Sequence, residues 1–159
     1  MPQDEIVLGV ESFFTSYREA FERGDTAALA AHFGDSVHVA SDTGSEVRLE
    51  LLTGAAWRAA IERLLALYRA LGVGGAEPRS VAVVAVSERL AQASVQWALS
   101  DRGGRALYEF RALYTLTHDG TRWRIVAIAH DELPQSRRYL ARHPPSGRPP
   151  DTTPPAAAD

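Results

Sequence analysis

Between Glu5 and Arg23 the apolar positions recur every three to four residues. Val10, Phe13 with Phe14, Tyr17 and Phe21 make one stripe, and the rhythm predicts a helix capped by Asp4 and ended by Gly24. Asp25 or Thr26 then caps a short second helix, TAALAAHF. SVHVAS, from Ser36 to Ser41, alternates and predicts a short strand, and Asp42-Thr43-Gly44 is a turn signal after it. VRLELLT reads as a further short strand. A third helix opens at Thr53 or Gly54, with Trp57, Ile61, Leu64, Tyr68 and Leu71 on one face, and the glycines of GVGG stop it.

Beyond GVGG the period changes from helical to alternating. RSVAVVAVSE, LAQASVQWALS, ALYEFRALYTLT and TRWRIVAIAH predict four strands. The turns between them, Glu88-Arg89, Asp101 to Gly104 and His118-Asp119-Gly120, are short enough to join antiparallel neighbours. Tyr108, Phe110, Ala112, Tyr114 and Leu116 share one face, with Val95, Trp97 and Leu99 on the strand before. Glu109, Arg111, Thr115 and Thr117, with Gln92, Ser94 and Gln96, take the other. One face of the sheet is therefore apolar and aromatic, and helices must cover it. In the last strand Trp123, Ile125, Ala127 and Ala129 alternate with Arg124, Val126, Ile128 and His130. Simple parity sends the first set inward and leaves Val126 and Ile128 outside, as a dimer interface needs. A bulge near the end would instead turn His130 inward.

Composition narrows the chemistry. The 159 residues suit one domain, with the ordered part expected over residues 1–143. Six of the nine prolines fall in residues 144–159, which predicts a flexible or polyproline-like tail, or alternatively a proline-motif ligand. The formal net charge of −3 gives no reason to expect a nucleic acid partner, and the basic run RRYLAR is short enough to be a solvated terminal segment. All seventeen basic residues are arginine, which excludes a lysine Schiff base or lysine general base. With no cysteine there is no thiol nucleophile, disulfide or thiolate metal site. No segment has the length of a membrane span, and the start MPQDEIVLGV carries acids where a secretory signal carries bases, so a soluble cytoplasmic protein is expected.

The order of elements, with FFTSYREAFERGDTAALAAHFGDSVHV at one end and YTLTHDGTRWRIVAIAH at the other, resembles the nuclear transport factor 2-like superfamily. The features that carry the likeness are Gly24-Asp25, Phe33, Asp35, the Asp119-Gly120 turn and Trp123-Arg124-Ile125, and it spans Glu5 to Leu133. The resemblance implies an α+β fold: a cone-shaped, curved antiparallel sheet wrapped around the N-terminal helices, of the cystatin-like roll type. It implies dimers through the outer sheet face. It also implies either acid–base enzymes without a cofactor, of the isomerase, SnoaL-type cyclase or dehydratase kind, or non-catalytic binders and scaffolds.

Tyr17, Asp42 and His130 are the candidate catalytic residues. In the ketosteroid isomerase branch a tyrosine at the place of Tyr17 donates to a developing oxyanion; the other reading is a core tyrosine. That branch's aspartate base falls one position before Asp42, at Ser41, and its second aspartate aligns with the apolar region around Leu113, so the isomerase pattern is incomplete here. Asp42 is otherwise a turn residue. His38 shares a strand face with Ala40 and Asp42, opposite Val37 and Val39, and is expected in solvent unless its strand lies over the cone mouth. His130, pointing inward, would be a neutral imidazole able to take a proton, which Asp131 could orient only where the backbone departs from simple alternation, whereas Glu132 reads as the start of the exit from the strand. A small hydrophobic ligand would meet Trp57, Tyr68, Trp97, Tyr108, Phe110 and Tyr114, although a plain core would have the same composition. No metal is expected, because His38, Asp42, His130 and Glu132 lack a tight ligand spacing.

Overall fold

A computed structural model describes residues 1–144. The proline-rich tail predicted from residue 144 onward falls almost wholly outside them. Helix α1 (Gln3–Glu22) and short α2 (Thr26–Ala30) lead into β1 (Phe33–Asp42) and β2 (Val47–Thr53). Helix α3 (Gly54–Leu71) is followed by β3 (Val73–Ser87), β4 (Leu90–Asp101), β5 (Ala106–His118), β6 (Trp123–His130) and α4 (Glu132–Arg142). The strands form one sheet in the order β2-β1-β6-β5-β4-β3. All neighbours are antiparallel except β1 and β6, which run parallel because the whole β2-to-β5 excursion separates them in the chain.

Local chemistry explains the boundaries. The Asp25 carboxylate accepts from the Ala28 amide at 3.0 Å and so starts α2. Gly72, at φ 74°, ends α3 in the left-handed conformation that a side chain disfavours. Strand β3 begins earlier than its alternation suggests and carries Pro78; an edge position lets the sheet accept a residue without an amide hydrogen. At Gly74 the β3 ladder skips a residue against β4, and a β-carbon there would lie 2.6 Å from the Arg102 backbone. Gly74→Ala is therefore expected to cost about 1–3 kcal/mol, read as a lower urea midpoint; an unchanged midpoint would show that the bulge yields freely.

The inward faces of β4 and β5 follow the predicted parity: Val95, Trp97, Leu99, Tyr108, Phe110, Ala112, Tyr114 and Leu116 are all buried. They pack on the α1 stripe of Val10, Phe14 and Tyr17. The Phe14 ring lies 4.9 Å from Tyr114 and 6.3 Å from Trp97, centroid to centroid. No described helix is long and apolar enough to cross a membrane.

Strand β6 ends at His130, and Glu132 starts the exit from it into α4, which carries the mostly exposed RRYLAR run to Arg142. Pro134 is tolerated since it falls in the first helical turn, where its missing N–H would have had no intrahelical partner. One expectation needs correction. Ile128 does not point outward, because strand β6 carries a bulge. Leu116 pairs with Ile125 but Thr115 with Ala127, so Val126 is the extra residue. Trp123 and Ile125 face the core, and beyond Val126 the phase flips, so that Ile128 and His130 turn inward and Ala129 is exposed.

Candidate active site

A cavity of about 270 Å³ lies between the aromatic face of the sheet and helices α1 and α3, with the start of α4 closing one side. Tyr17, Phe21, Phe33, Trp57, Trp97, Phe110 and Tyr114 line it. Its rim carries the exposed side chains of Arg48 and Glu50 from β2 and of Leu67 from α3. Most of the wall is hydrocarbon, so any polar group in it stands out.

The most prominent polar group is Glu132, the first residue of α4, which is 8 % exposed. Its Oε1 accepts hydrogen bonds from the hydroxyls of Tyr68 and Tyr108, the latter at 2.9 Å. Its Oε2 accepts no hydrogen bond among the described residues, and Glu132 is one of the residues that line the cavity. Burial raises the Glu132 pKa above the ordinary carboxylate value, and the neighbouring charge of Asp131 acts in the same direction. The two phenols oppose this by favouring the anion. Hydrogen bonds to a charged group are worth about 1.5–3 kcal/mol each, whereas desolvating a carboxylate costs several kcal/mol, and here burial wins. The same burial, followed by the charge of Glu132, holds the Tyr17, Tyr68 and Tyr108 hydroxyls well above their usual range, so all three remain donors. Tyr114 is held up first by burial and next by neighbouring Tyr17. Its oxygen accepts from the Trp97 indole N–H at 2.9 Å.

His130 lines the cavity beside Ser41, and its Nε2 lies 3.0 Å from the serine hydroxyl. The Glu132 amide points at Nδ1, at 3.4 Å. An amide can only donate, so Nδ1 is the bare nitrogen, and the neutral ring carries its proton on Nε2 and gives it to Ser41. Burial lowers the His130 pKa, which keeps the ring neutral; the Asp131 charge opposes this more weakly. Both ring nitrogens are thus engaged, and the imidazole braces the backbone that carries Glu132. The Asp131 carboxylate does not orient it: Oδ1 accepts from the Arg111 amide at 2.9 Å and Oδ2 from the Gln135 side chain at 3.2 Å.

Among the other predicted residues, Trp57, Tyr68, Trp97, Phe110 and Tyr114 meet at the cavity with Tyr17. Tyr108 stands behind the wall, where its hydroxyl holds Glu132. Asp42 is apart from them, exposed, its Oδ1 accepting from the Gly44 amide at 2.7 Å as a turn residue does. His38 is also exposed. The residue that sequence reasoning passed over is Glu132; the available signal was Asp131-Glu132 followed two residues later by a proline, a pattern that fits a helix start. Among the described residues no three His, Asp or Glu side chains are grouped to hold a metal.

This arrangement stands on a recognisable chain. The sequence pattern of the family described as NTF2-like protein (DUF6841) matches residues 4–133. The chain belongs to that NTF2-like family. Three solved structures illustrate the shared architecture. A protein of unknown function from Mycobacterium tuberculosis is 15 % identical over 80 % of this chain and 76 % of its own, with a TM-score of 0.62. An NTF2-like protein with a cystatin-like fold from Novosphingobium aromaticivorans is 20 % identical, with coverages of 80 % and 81 % and a TM-score of 0.61. A cystatin-like fold protein from Burkholderia xenovorans is 20 % identical, with coverages of 81 % and 92 % and a TM-score of 0.57. At these identities the likeness is one of fold. No curated protein matches the chain. The NTF2-like fold accounts for the curved sheet and its hollow, while the contents of the hollow belong to this chain.

Proposed function

We propose that this NTF2-like protein is a SnoaL-like small-molecule-binding domain, and that it performs cofactor-free acid–base chemistry of the isomerase, cyclase or dehydratase type on a small hydrophobic molecule. The observation that carries the reading is the Glu132 carboxyl: buried, held on one oxygen by two phenols, without a partner for the other among the described residues, and carried by a residue that lines an apolar cavity. A buried carboxyl whose pKa is raised above the ordinary carboxylate value holds its proton more readily and is suited to exchanging it with a bound substrate. Tyr17, kept as a phenol, supplies a donor for charge that develops on the substrate. The cavity is small beside ligand sites of roughly 300–1,000 Å³, which suits a molecule of one or two rings.

The test is solvent deuterium incorporation. The protein is incubated in D2O with a panel of one- and two-ring ketones and amines, and C–H exchange is followed by NMR. Exchange faster than in buffer for at least one member supports the enzyme. Binding without exchange across the panel leaves the non-catalytic ligand-binding alternative, and absence of binding removes the cavity as a site.

The outer sheet face supports a second copy as partner. Leu49 and Leu51 on edge strand β2 are 76 % and 57 % exposed, and Val84, Val86 and Leu113 add apolar surface on β3 and β5. A face closed by a twofold axis would cover these side chains. Leu49→Glu combined with Leu51→Glu is expected to convert a dimer into a monomer in light scattering, and a monomeric wild type would end the dimer proposal.

A further inference from the structure

Among the described residues Glu132 is an acid without a cation. The chain has no lysine, and no described arginine pairs with Glu132. The hydrogen bonds its carboxylate accepts come from two neutral hydroxyls. At the rim, Arg48 is accompanied by Glu50 on the same strand face, so the pair brings no net positive charge to the cavity. His130 is neutral, and Asp131 is turned toward Arg111 and Gln135. Among the described residues nothing partners Oε2, which leaves it to a proton or to part of a ligand. Tyr17, Tyr68, Trp97, Phe110 and Tyr114 line the same cavity, and aromatic faces attract positive charge. An anionic ligand would meet like charge, whereas a neutral one would leave Oε2 to its proton.

We propose that the cavity is built for a hydrophobic amine, with its ammonium group against Oε2 of Glu132 and its apolar body against the rings. This deepens the reading above and rests on it, since the cone must first hold a ligand. Binding is linked to protons. Where Glu132 is still protonated, R–NH3⁺ and the carboxyl give the ammonium–carboxylate pair plus one proton released to buffer. Amine affinity therefore rises with pH until Glu132 is ionised in the free protein.

Three probes of similar size separate the possibilities: 2-phenylethylamine, 2-phenylethanol and 3-phenylpropanoate. Each is titrated into the full chain near neutral pH by calorimetry, with tryptophan fluorescence as a second readout. The amine is expected to bind at least about tenfold tighter than the alcohol, a difference of about 1.4 kcal/mol, with the carboxylate weakest. Repeated down a pH series in two buffers of different ionisation enthalpy, calorimetry should show proton release with the amine alone once the pH is low enough for free Glu132 to hold its proton. In Glu132→Gln the amine-to-alcohol ratio should fall to about one. An alcohol that binds as tightly as the amine in wild type, or a preference that survives Glu132→Gln, overturns the amine assignment and leaves the cavity as a ligand site. Failure of all three probes to bind overturns both readings. The wild-type comparison decides the matter even if the variant folds poorly.

Discussion

Phe14→Ala is expected to cost about 3–5 kcal/mol of unfolding free energy. The Phe14 ring is 1 % exposed and touches Phe13, Tyr17, Trp97 and Tyr114, so its removal deletes contacts on several sides at once. The cost should fall in the upper part of the range, because the site cannot collapse well: Trp97 and Tyr114 are locked to each other by a hydrogen bond and already border a hollow. Against the roughly 5–15 kcal/mol of a typical domain, the variant is left marginal. Urea denaturation followed by circular dichroism measures it. A loss below about 1.5 kcal/mol would mean that neighbouring rings move in to fill the space, and that the hollow is less rigid than described.

Glu132→Gln separates function from stability. The substitution keeps the shape and keeps an oxygen for Tyr68 and Tyr108, but removes the proton-exchanging group. Deuterium incorporation should fall by a factor of about one hundred or more, the usual weight of a positioned acid or base. Stability should move the other way, with a definite pH dependence. Burial raises the folded-state pKa of Glu132 above its unfolded value, so the folded state binds this proton more tightly. That contribution is fully present below the unfolded carboxylate pKa and is lost as pH rises through the folded one. Glutamine, which cannot ionise, should therefore melt higher than wild type at neutral and alkaline pH, by about 0.5–2 kcal/mol, and lose the advantage in acid. Thermal melts across pH check the sign. A variant less stable than wild type at every pH would show that Glu132 is instead held as a well-solvated carboxylate, and full activity in the variant would take the acid–base role from this residue.

Much of the fold was legible because alternation survives burial on one side of a sheet. Val95, Trp97 and Leu99 on β4, and Tyr108 to Leu116 on β5, could be assigned to the interior from their spacing alone. The α1 stripe was legible for the same reason at the helical period. Two features of the site were not. The direction of His130 depends on one unpaired residue, Val126, and nothing in an unbroken apolar run marks which residue leaves the ladder. Glu132 was hidden more deeply, because an acid is expected in water. Its burial follows from Tyr68 and Tyr108, contributed by distant segments of the chain, and only the folded arrangement brings them to it. Asp42 looked chemical by residue type, yet its nearest amide, Gly44, was the better guide to its place.

The bulge at Val126 also governs how this strand can be compared with others. Up to Ile125 the odd-numbered positions face the packed interior, and beyond Val126 the even-numbered ones do. A relative lacking that one residue would keep every hydrogen-bonded neighbour of the sheet and still present an imidazole to the hollow, now in unbroken alternation. Matching such a chain to this one without a gap would pair a buried histidine with a residue facing solvent, and two proteins with similar interiors would look unrelated at the site.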